Sequence, residues 1–466
     1  MSASPASPRL LPQLQSRFAV PTLLEAAAIA VAGAAIGLLA VYSTHALVEG
    51  LLAIALVVVA LRWPVWATVA FVFISFPVIL PSWLGVGATV SKPFGLVLVS
   101  AWVLLILREP SRPLLMRDRP GVTALLGGYL VWACLSYLWT IDSSKTVYQL
   151  ERLLPVIVLT FVVYTTAATR RELAILTYGY VVTSGIWSAY ALLSGTAVEG
   201  DRLTGGLNDP NYFASELVLA TILGGYLLMS TSSAKARVGL IACIGFNLVA
   251  FLLTQSRGGV VGMGVGVLAA IAVAGRRRGA VVATVTLALA VSVLYLGLLS
   301  PAGVAHRLTD LSSSQSSGRT DSWTIAYDVF RANPFVGVGL GAFQVAQLSY
   351  VSSVNLQFPQ QILDQQLVSH NTYLDTLSEL GLIGMLFLGG GIALVFRGAF
   401  SAMTQAEDEE DTYVLRGLVA GTVGLLTSFV FLSAEAEKSL WIALALIAAA
   451  SRLVVPPREN DAARPT

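Results

Sequence analysis

The sequence predicts an all-α polytopic membrane protein, a bundle of about fourteen transmembrane helices (twelve to fourteen) with one large extracytoplasmic helical segment. Three observations carry this expectation. Hydrophobic residues fill 56% of the 466 positions and charged residues only 12%, too much apolar surface for a soluble chain to bury. Apolar runs near the ~20 residues that cross ~30 Å of hydrocarbon as a helix recur along the chain. Most of the 28 lysines and arginines fall between alternate runs, as the positive-inside rule asks of cytoplasmic loops.

The runs lie at 22–42, 46–61, 64–84, 92–107, 121–139, 146–165, 173–195, 212–231, 237–255, 258–274, 279–300, 371–396, 413–433 and 438–455. The second and fourth are short for a crossing. With the N-terminus inside, the inner loops hold Arg62, Arg108, Arg170, Arg171, Arg237 and the triplet Arg276 to Arg278. Both termini are therefore expected in the cytoplasm. Residues 1–18 and 456–466 read as disordered tails, 19–300 as transmembrane helices 1–11, 301–370 as the extracytoplasmic segment and 371–455 as transmembrane helices 12–14. No cleavable signal peptide is evident in the polar, proline-rich start. Cys134 and Cys243 sit in apolar runs and suggest neither a disulfide framework nor a metal cluster. The lipid bilayer is the expected partner surface, with no nucleic acid.

Inside the outer segment, RTDSWTIAYDVFRA reads as an amphipathic helix with Trp323, Ala326, Tyr327 and Phe330 on one stripe. NPF stops it. The GVGLGAF that follows is too apolar for a free loop and is expected to fold onto the outer mouth of the bundle.

Four stretches on the outer side could carry chemistry. DRLTGGLNDPNYFASE, at 201–216, makes a tight turn into the eighth span, with Arg202 just before it and Asn211 at its end. TQSRGGVVG, at 254–262, puts Arg257 in a hairpin, and Gly258-Gly259 open the next helix, whose N-terminus has free N–H groups and a positive dipole end. SSGRTDSW, at 316–323, places Gly318-Arg319 at the start of the amphipathic helix. SHNTYLDTLSELGLIG, at 369–384, sets His370 and Asn371 just before a span. Arginines at loop-to-helix junctions suit a pyrophosphate, which guanidinium binds bidentately. The positive end of a helix keeps His370 neutral near pH 7, as a general base requires. Plainer readings stand beside these. An interfacial histidine also anchors or caps a helix, Gly-Gly also permits close helix packing, and NDPN is also an ordinary turn. Arg152 beside Glu151 and Lys438 beside Glu437 invite simple pairing. GVGLG follows no predicted strand and is not a nucleotide loop.

Taken in order, the four stretches resemble the bacterial O-antigen ligase and O-antigen polymerase family of inner-membrane, lipid-linked glycan transferases. His370-Asn371, nine residues, Gly381, two residues and Gly384 match the ligase histidine motif, with Met385 where Thr or Val is usual. SRGG at 256–259 is similar to the family's arginine–glycine hairpin. Gly318-Arg319 with Trp323 resembles the GR-x-x-x-W start of its periplasmic helix, and NPFVGVGLGAF the bend after it. Arg202 to Asn211 resembles an R-x-x-G…NPN element interrupted by Asp209. The likeness covers about residues 200–400.

The resemblance implies a membrane-glycosyltransferase (GT-C-like) bundle with its active site on the extracytoplasmic face. Such an enzyme moves a glycan from undecaprenyl pyrophosphate to a sugar hydroxyl, inverting the anomeric centre, with no cofactor and no metal. By carry-over, His370 is the catalytic base, Arg257 and Arg319 hold the pyrophosphate with Arg202 as a third, and Asn371, Gly258, Gly318 and Asn211 support them. The acceptor is a glycolipid in a ligase and a second lipid-linked repeat in a polymerase. Transfer to a protein and transport of lipid-linked sugars are the remaining alternatives. A transporter should hold its charges near the midplane, whereas here they gather at the outer rim.

Overall fold

The computed structural model describes residues 54–76, 91–194, 197–199, 202–205, 207, 209–298, 315–351, 356, 360 and 368–455. The expected tails at 1–18 and 456–466, the first apolar run and part of the second lie outside the described residues. Contacts divide the chain into two units, Met1–Val59 and Ala60–Thr466. In the first, the described residues 54–59 are helical.

The second unit is built of helices α1 (Pro64–Ser75), α2 (Ser91–Arg108), α3 (Pro120–Leu135), α4 (Ser143–Thr166), α5 (Arg170–Ser194), α6 (Pro210–Ser230), α7 (Ala234–Thr254), α8 (Arg257–Val273), α9 (Arg278–Leu298), α10 (Gln315–Ala332), α11 (Thr372–Gln405), α12 (Tyr413–Ser428) and α13 (Lys438–Val454). Every apolar run from the third onward carries a helix, so the protein is all-α and polytopic in its long elements. One small antiparallel ribbon, β1 (Ala197–Glu199) with β2 (Arg202–Leu203), was not expected from the sequence.

Seven helical stretches among the described residues are long and apolar enough to cross a membrane, in α3, α4, α6, α7, α9, α11 and α12. The apolar helices α1, α8 and the body of α2 are shorter. Helices α5 and α13, of 25 and 17 residues, fall in neither set. Fourteen crossings are thus not reached by this measure.

Hydrogen-bonding side chains start the helices where the sequence puts them. Asp142, Asp209, Ser233, Ser256 and Asn371 each cap a helix by accepting backbone N–H groups. Helix α6 lies in the middle, packed by α7, α8 and α12, and is buried along most of its length. Small residues let backbones approach there: a Cβ on Gly262 of α8 would stand 2.7 Å from the Gly424 carbonyl of α12. Helix α9 is the opposite case, with Val281 its one buried residue, as expected of a helix bathed in lipid.

The loops assigned to the inner side meet at one end of the bundle. Arg112 pairs with Glu172 at 2.8 Å and Arg277 with Glu410 at 2.7 Å. Arg170 bonds Asp411, and Arg452 donates to the Ala167 carbonyl at 3.0 Å. The exposed pairs, Arg277 with Glu410 and Arg170 with Asp411, stabilise little, but together these contacts show that the basic loops share one end.

Helix α11 is broken at Gly381 (φ 66°, ψ −167°) into a short arm, 372–380, and a long arm, 382–405. The apolar bend 334–341 fits into the break. Val338 N donates to Ser378 O at 3.0 Å, Gly339 N to Glu379 O at 2.9 Å and Leu382 N to Pro334 O at 2.8 Å. The approach requires glycine on both sides: a Cβ on Gly381 would lie 2.2 Å from Phe335 O, and one on Gly337 (φ 67°) 2.3 Å from Glu379 O. Trp132 Nε1 satisfies the Leu380 carbonyl at 2.9 Å, and Glu379 accepts Gly341 N at 2.7 Å. The bend does fold onto the bundle, because its own backbone groups complete a helix that is missing hydrogen bonds.

One sequence expectation here is corrected. The buried face of α10 is Ser322, Ile325, Ala326 and Val329; of the expected stripe Trp323, Ala326, Tyr327 and Phe330 it includes Ala326, whereas Tyr327 is 53% exposed. The face is chosen by the apolar residues Val338, Ala342, Phe343 and Ala346 of the bend, which cluster with Ile325, Ala326 and Val329.

Candidate active site

The site is built at the end of the bundle away from the basic loops, where β2, the α7–α8 hairpin, the start of α10 and the start of α11 meet. The hairpin is two residues long. Gln255, in the left-handed region (φ 52°), ends α7, and Ser256 caps α8 by accepting Gly259 N at 3.1 Å. Arg257 is thereby fixed as the first residue of α8. Gly258 and Gly259 follow because larger residues would not fit: their Cβ atoms would meet Phe431 Cβ at 2.7 Å and Ala214 Cβ at 2.8 Å. The plain packing reading of this Gly-Gly pair is therefore part of the explanation.

Arg202 braces the hairpin from behind. It is buried, its Nε donates to Thr254 O at 2.9 Å, and its Nη2 donates to Asn211 Oδ1 at 2.9 Å. The same Asn211 oxygen accepts Ser256 Oγ at 2.7 Å. Asp209 Oδ1 in turn accepts the Asn211 backbone N at 2.7 Å and its side-chain Nδ2 at 2.8 Å. The turn at 209–211 is thus a connector between β2 and the hairpin as well as a helix cap.

His370 precedes Asn371, which caps α11 by accepting Tyr373 N at 3.0 Å and Leu374 N at 3.1 Å. The His370 backbone is left-handed (φ 54°), a conformation that His adopts more readily than most residues other than Gly. It is held by its N–H donating to Ser433 Oγ at 3.1 Å. The 432–434 connector is itself clamped to α11: Thr372 Oγ1 donates to Leu432 O at 2.6 Å and accepts Ala434 N at 2.8 Å. A strained backbone held by a rigid surround is a common feature of functional sites.

Electrostatics ties these elements together. Burial first, and the Arg319 charge second, hold the His370 imidazole below its ordinary value, while Asp209 pulls the other way. Burial also lowers Arg319, which feels the Asp209 carboxylate as a counter-charge and Arg257 as a like charge; a guanidinium stays charged all the same. His370, Arg319, Arg257 and Asp209, from four separate stretches, therefore share one field. The neutral ring has a different main cause from the one the sequence suggested, burial and Arg319 rather than a helix end. Trp323, one turn beyond Arg319, has a buried indole N–H with no partner among the described residues. Its ring lies 6.1 Å from that of Phe431.

The arrangement places two guanidinium groups and a neutral imidazole at one partly dry surface, suited to an anion and a proton transfer side by side. Gly318 lies in α10 beside Arg319. Among the described residues, no group of three or more His, Cys, Asp or Glu side chains is placed to hold a metal ion. Two other cations expected on the outer side, Arg152 and Lys438, have local partners. Arg152 reaches Gln149 at 3.1 Å and Glu437 at 4.0 Å rather than Glu151, and Lys438 Nζ donates to Ser75 O at 2.9 Å.

Residues 239–389 match a family model described as O-antigen ligase. The chain is thus similar to the O-antigen ligase family over about a third of its length. It is also 26% identical over 357 residues to the exopolysaccharide production protein ExoQ of Rhizobium meliloti (strain 1021), across 71% of this chain and 78% of ExoQ. Both likenesses, with the long apolar helices, support a membrane enzyme of O-antigen ligase/polymerase type. The O-antigen ligase segment runs from α7 into the long arm of α11 and contains Arg257, Arg319, His370 and the bend at Gly381. Arg202 and Asn211 lie before it. Sequence reasoning missed two members of the site. Asp209 was visible only as a turn residue, and Ser433 stands 63 positions from His370 with no local signal.

Proposed function

We propose that this protein transfers a glycan from undecaprenyl pyrophosphate to a sugar hydroxyl of an acceptor glycolipid, at the extracytoplasmic face of the cytoplasmic membrane. The observation that carries the reading is the shared field of His370, Arg319, Arg257 and Asp209. In the reaction, the acceptor oxygen attacks the anomeric carbon as His370 takes its proton. The bond from that carbon to the pyrophosphate oxygen breaks, and undecaprenyl pyrophosphate leaves with the electron pair. Attack opposite the leaving group inverts the centre. Arg257 and Arg319 stabilise the charge that builds on the pyrophosphate, the larger part of the task for a good leaving group. Arg202 acts through Asn211 and Ser256 to hold Arg257 in place. The chemistry needs no metal.

A second reading, elongation of one lipid-linked glycan by another, is favoured by the likeness to a protein named for exopolysaccharide production. It uses the same residues in the same roles and differs in the acceptor.

The test uses purified enzyme in detergent, glycan-charged undecaprenyl pyrophosphate, and EDTA, with and without a lipid A–core acceptor. Glycan on the core lipid supports the ligase, and longer lipid-linked chains without it support the polymerase. His370→Ala should lower either product by about a hundredfold or more while melting like the wild type. An alanine variant that keeps near-normal turnover would remove His370 as the base.

A further inference from the structure

The bend that fits into α11 is held by a side chain as well as by backbone. Glu379, in the short arm, is 7% exposed, and each of its carboxylate oxygens accepts a backbone N–H. Oε2 takes Gly341 N at 2.7 Å and Oε1 takes Phe343 N, just beyond the bend, at 3.3 Å. Among the described residues it is the one side chain of α11 that bonds this stretch. The position is costly for a carboxylate. Asp375 and Glu435, both buried, share its field, and the Tyr129 ring faces all three. A buried charge among like charges destabilises a fold unless its hydrogen bonds offset the cost. Packing alone would be served better by an apolar residue, so the two N–H groups account for the acid.

What hangs from this clamp is Arg319. Helix α10 runs from the Arg319 end to Ala332 and passes through Asn333 into the bend, where Gly337 N donates to Asn333 O at 3.0 Å. The short arm of α11 starts just after His370 and lies beside it: Leu374 packs against the cluster of Ile325, Ala326, Val329, Val338 and Phe343. Both members of the pair therefore start at the site and meet at the clamp. Arg319 stands ~20 Å of helix from the bend, so a tilt of a few degrees there moves the guanidinium by about an ångström. Ser136 and Thr146 also hold the bend, Leu340 N donating to Ser136 Oγ at 3.1 Å and Thr146 Oγ1 to Leu340 O at 2.7 Å. Those bonds run to the end of α3 and to α4, not to the arm that carries His370.

We propose that Glu379 is a positioning residue for the transfer: by clamping the bend to the short arm it sets the Arg319 guanidinium against the His370 ring. The proposal rests on the transferase reading above. Arg319 and Asp209 are the charges that act on His370, and Asp209 and Arg257 those that act on Arg319. With the clamp loosened, the repelling guanidinium stands further from the imidazole, and the ring takes its proton at higher pH. The same displacement takes one of the two phosphate-holding groups out of line, which costs turnover.

Glu379→Gln keeps the shape but has one acceptor oxygen, and its amide N–H groups meet the second backbone N–H donor to donor. The full-length enzyme in detergent would be read in two ways against pH. One is transfer from glycan-charged undecaprenyl pyrophosphate. The other is carbethoxylation of His370 followed by peptide mass spectrometry, which needs the neutral ring and no turnover. Glu379→Gln should raise the limb in both by about half a pH unit or more and lower turnover about tenfold or more. Adding Arg319→Gln should move the limb no further than Arg319→Gln does alone, since both act through one charge. Glu379→Asp, which keeps the charge but pulls it back by a methylene, should fall between, and it carries the test if the Gln variant does not fold. Ser136→Ala, which loosens the bend from the α3 side, is the control and should leave the limb in place. A Glu379→Gln limb at the wild-type pH would overturn the proposal, as would shifts of the two variants that add. A raised carbethoxylation limb in an enzyme that transfers to no acceptor would keep the clamp and sink the transferase reading.

Discussion

Arg202→Met separates a brace from an anion ligand. Arg202 is 6% exposed and donates two hydrogen bonds of 2.9 Å, to Thr254 O and to Asn211 Oδ1. Hydrogen bonds from a charged group contribute about 1.5–3 kcal/mol each. Methionine removes both, leaves the Thr254 carbonyl at the end of α7 without this donor, and relieves the cost of burying a charge, which offsets part of the loss. Asn211 Oδ1 keeps its bond from Ser256. The balance is a destabilisation of about 3 kcal/mol, which for a domain of some 400 residues lowers Tm by about 3–4 °C. The assay is a thermal melt in detergent paired with donor kinetics measured well below Tm. A melt within about 1 °C of wild type, together with a raised donor KM, would refute the bracing role and return Arg202 to the pyrophosphate.

Three further outcomes follow from the site. His370 must be neutral to accept a proton, and burial and Arg319 hold it below the ordinary imidazole value. Activity should therefore rise with pH along a limb centred below ~6.5 and be flat through neutrality. In Arg319→Gln the residual activity should show that limb at higher pH, because a repelling charge is gone; a limb that stays or moves down counts against the pairing. Arg257→Lys should lose nearly as much turnover as Arg257→Ala, since lysine lacks the fork that grips two phosphate oxygens, and a fully active lysine variant would reduce the site to a point charge. Gly381→Ala forces a side chain to φ 66° and into Phe335 O, a backbone cost of about 1–3 kcal/mol before the clash. It should lower both Tm and activity as the 334–341 bend is pushed out of α11, and a wild-type melt would show that the break tolerates a Cβ.

The class of the protein was legible in the sequence because its causes are local. A run such as 279–300 has no solvent but lipid, and an Asn371 or Ser256 before an apolar run caps a helix wherever the chain places it. The basic loops likewise announced which ends belong together, as Arg112 with Glu172 and Arg277 with Glu410 show. Motif order pointed to His370, Arg257 and Arg319 by resemblance. Three other features depended on the third dimension. The stripe on α10 was assigned to its aromatics, whereas the partner surface that selects the buried face comes from residues 338–346. Arg202 looked like the other outer arginines, because a guanidinium in a sequence shows its charge but not which carbonyl takes its hydrogen bonds. The neutral state of His370 was attributed to the nearby helix end, a property of the chain; it is due chiefly to burial and to Arg319, 51 positions away. Sequence alone fixed the solvent, the helices and their caps, since hydropathy and capping act over a few residues. Tertiary structure alone decided which charges share a field and where α11 opens to receive the glycine bend, since these depend on packing between segments far apart in the chain.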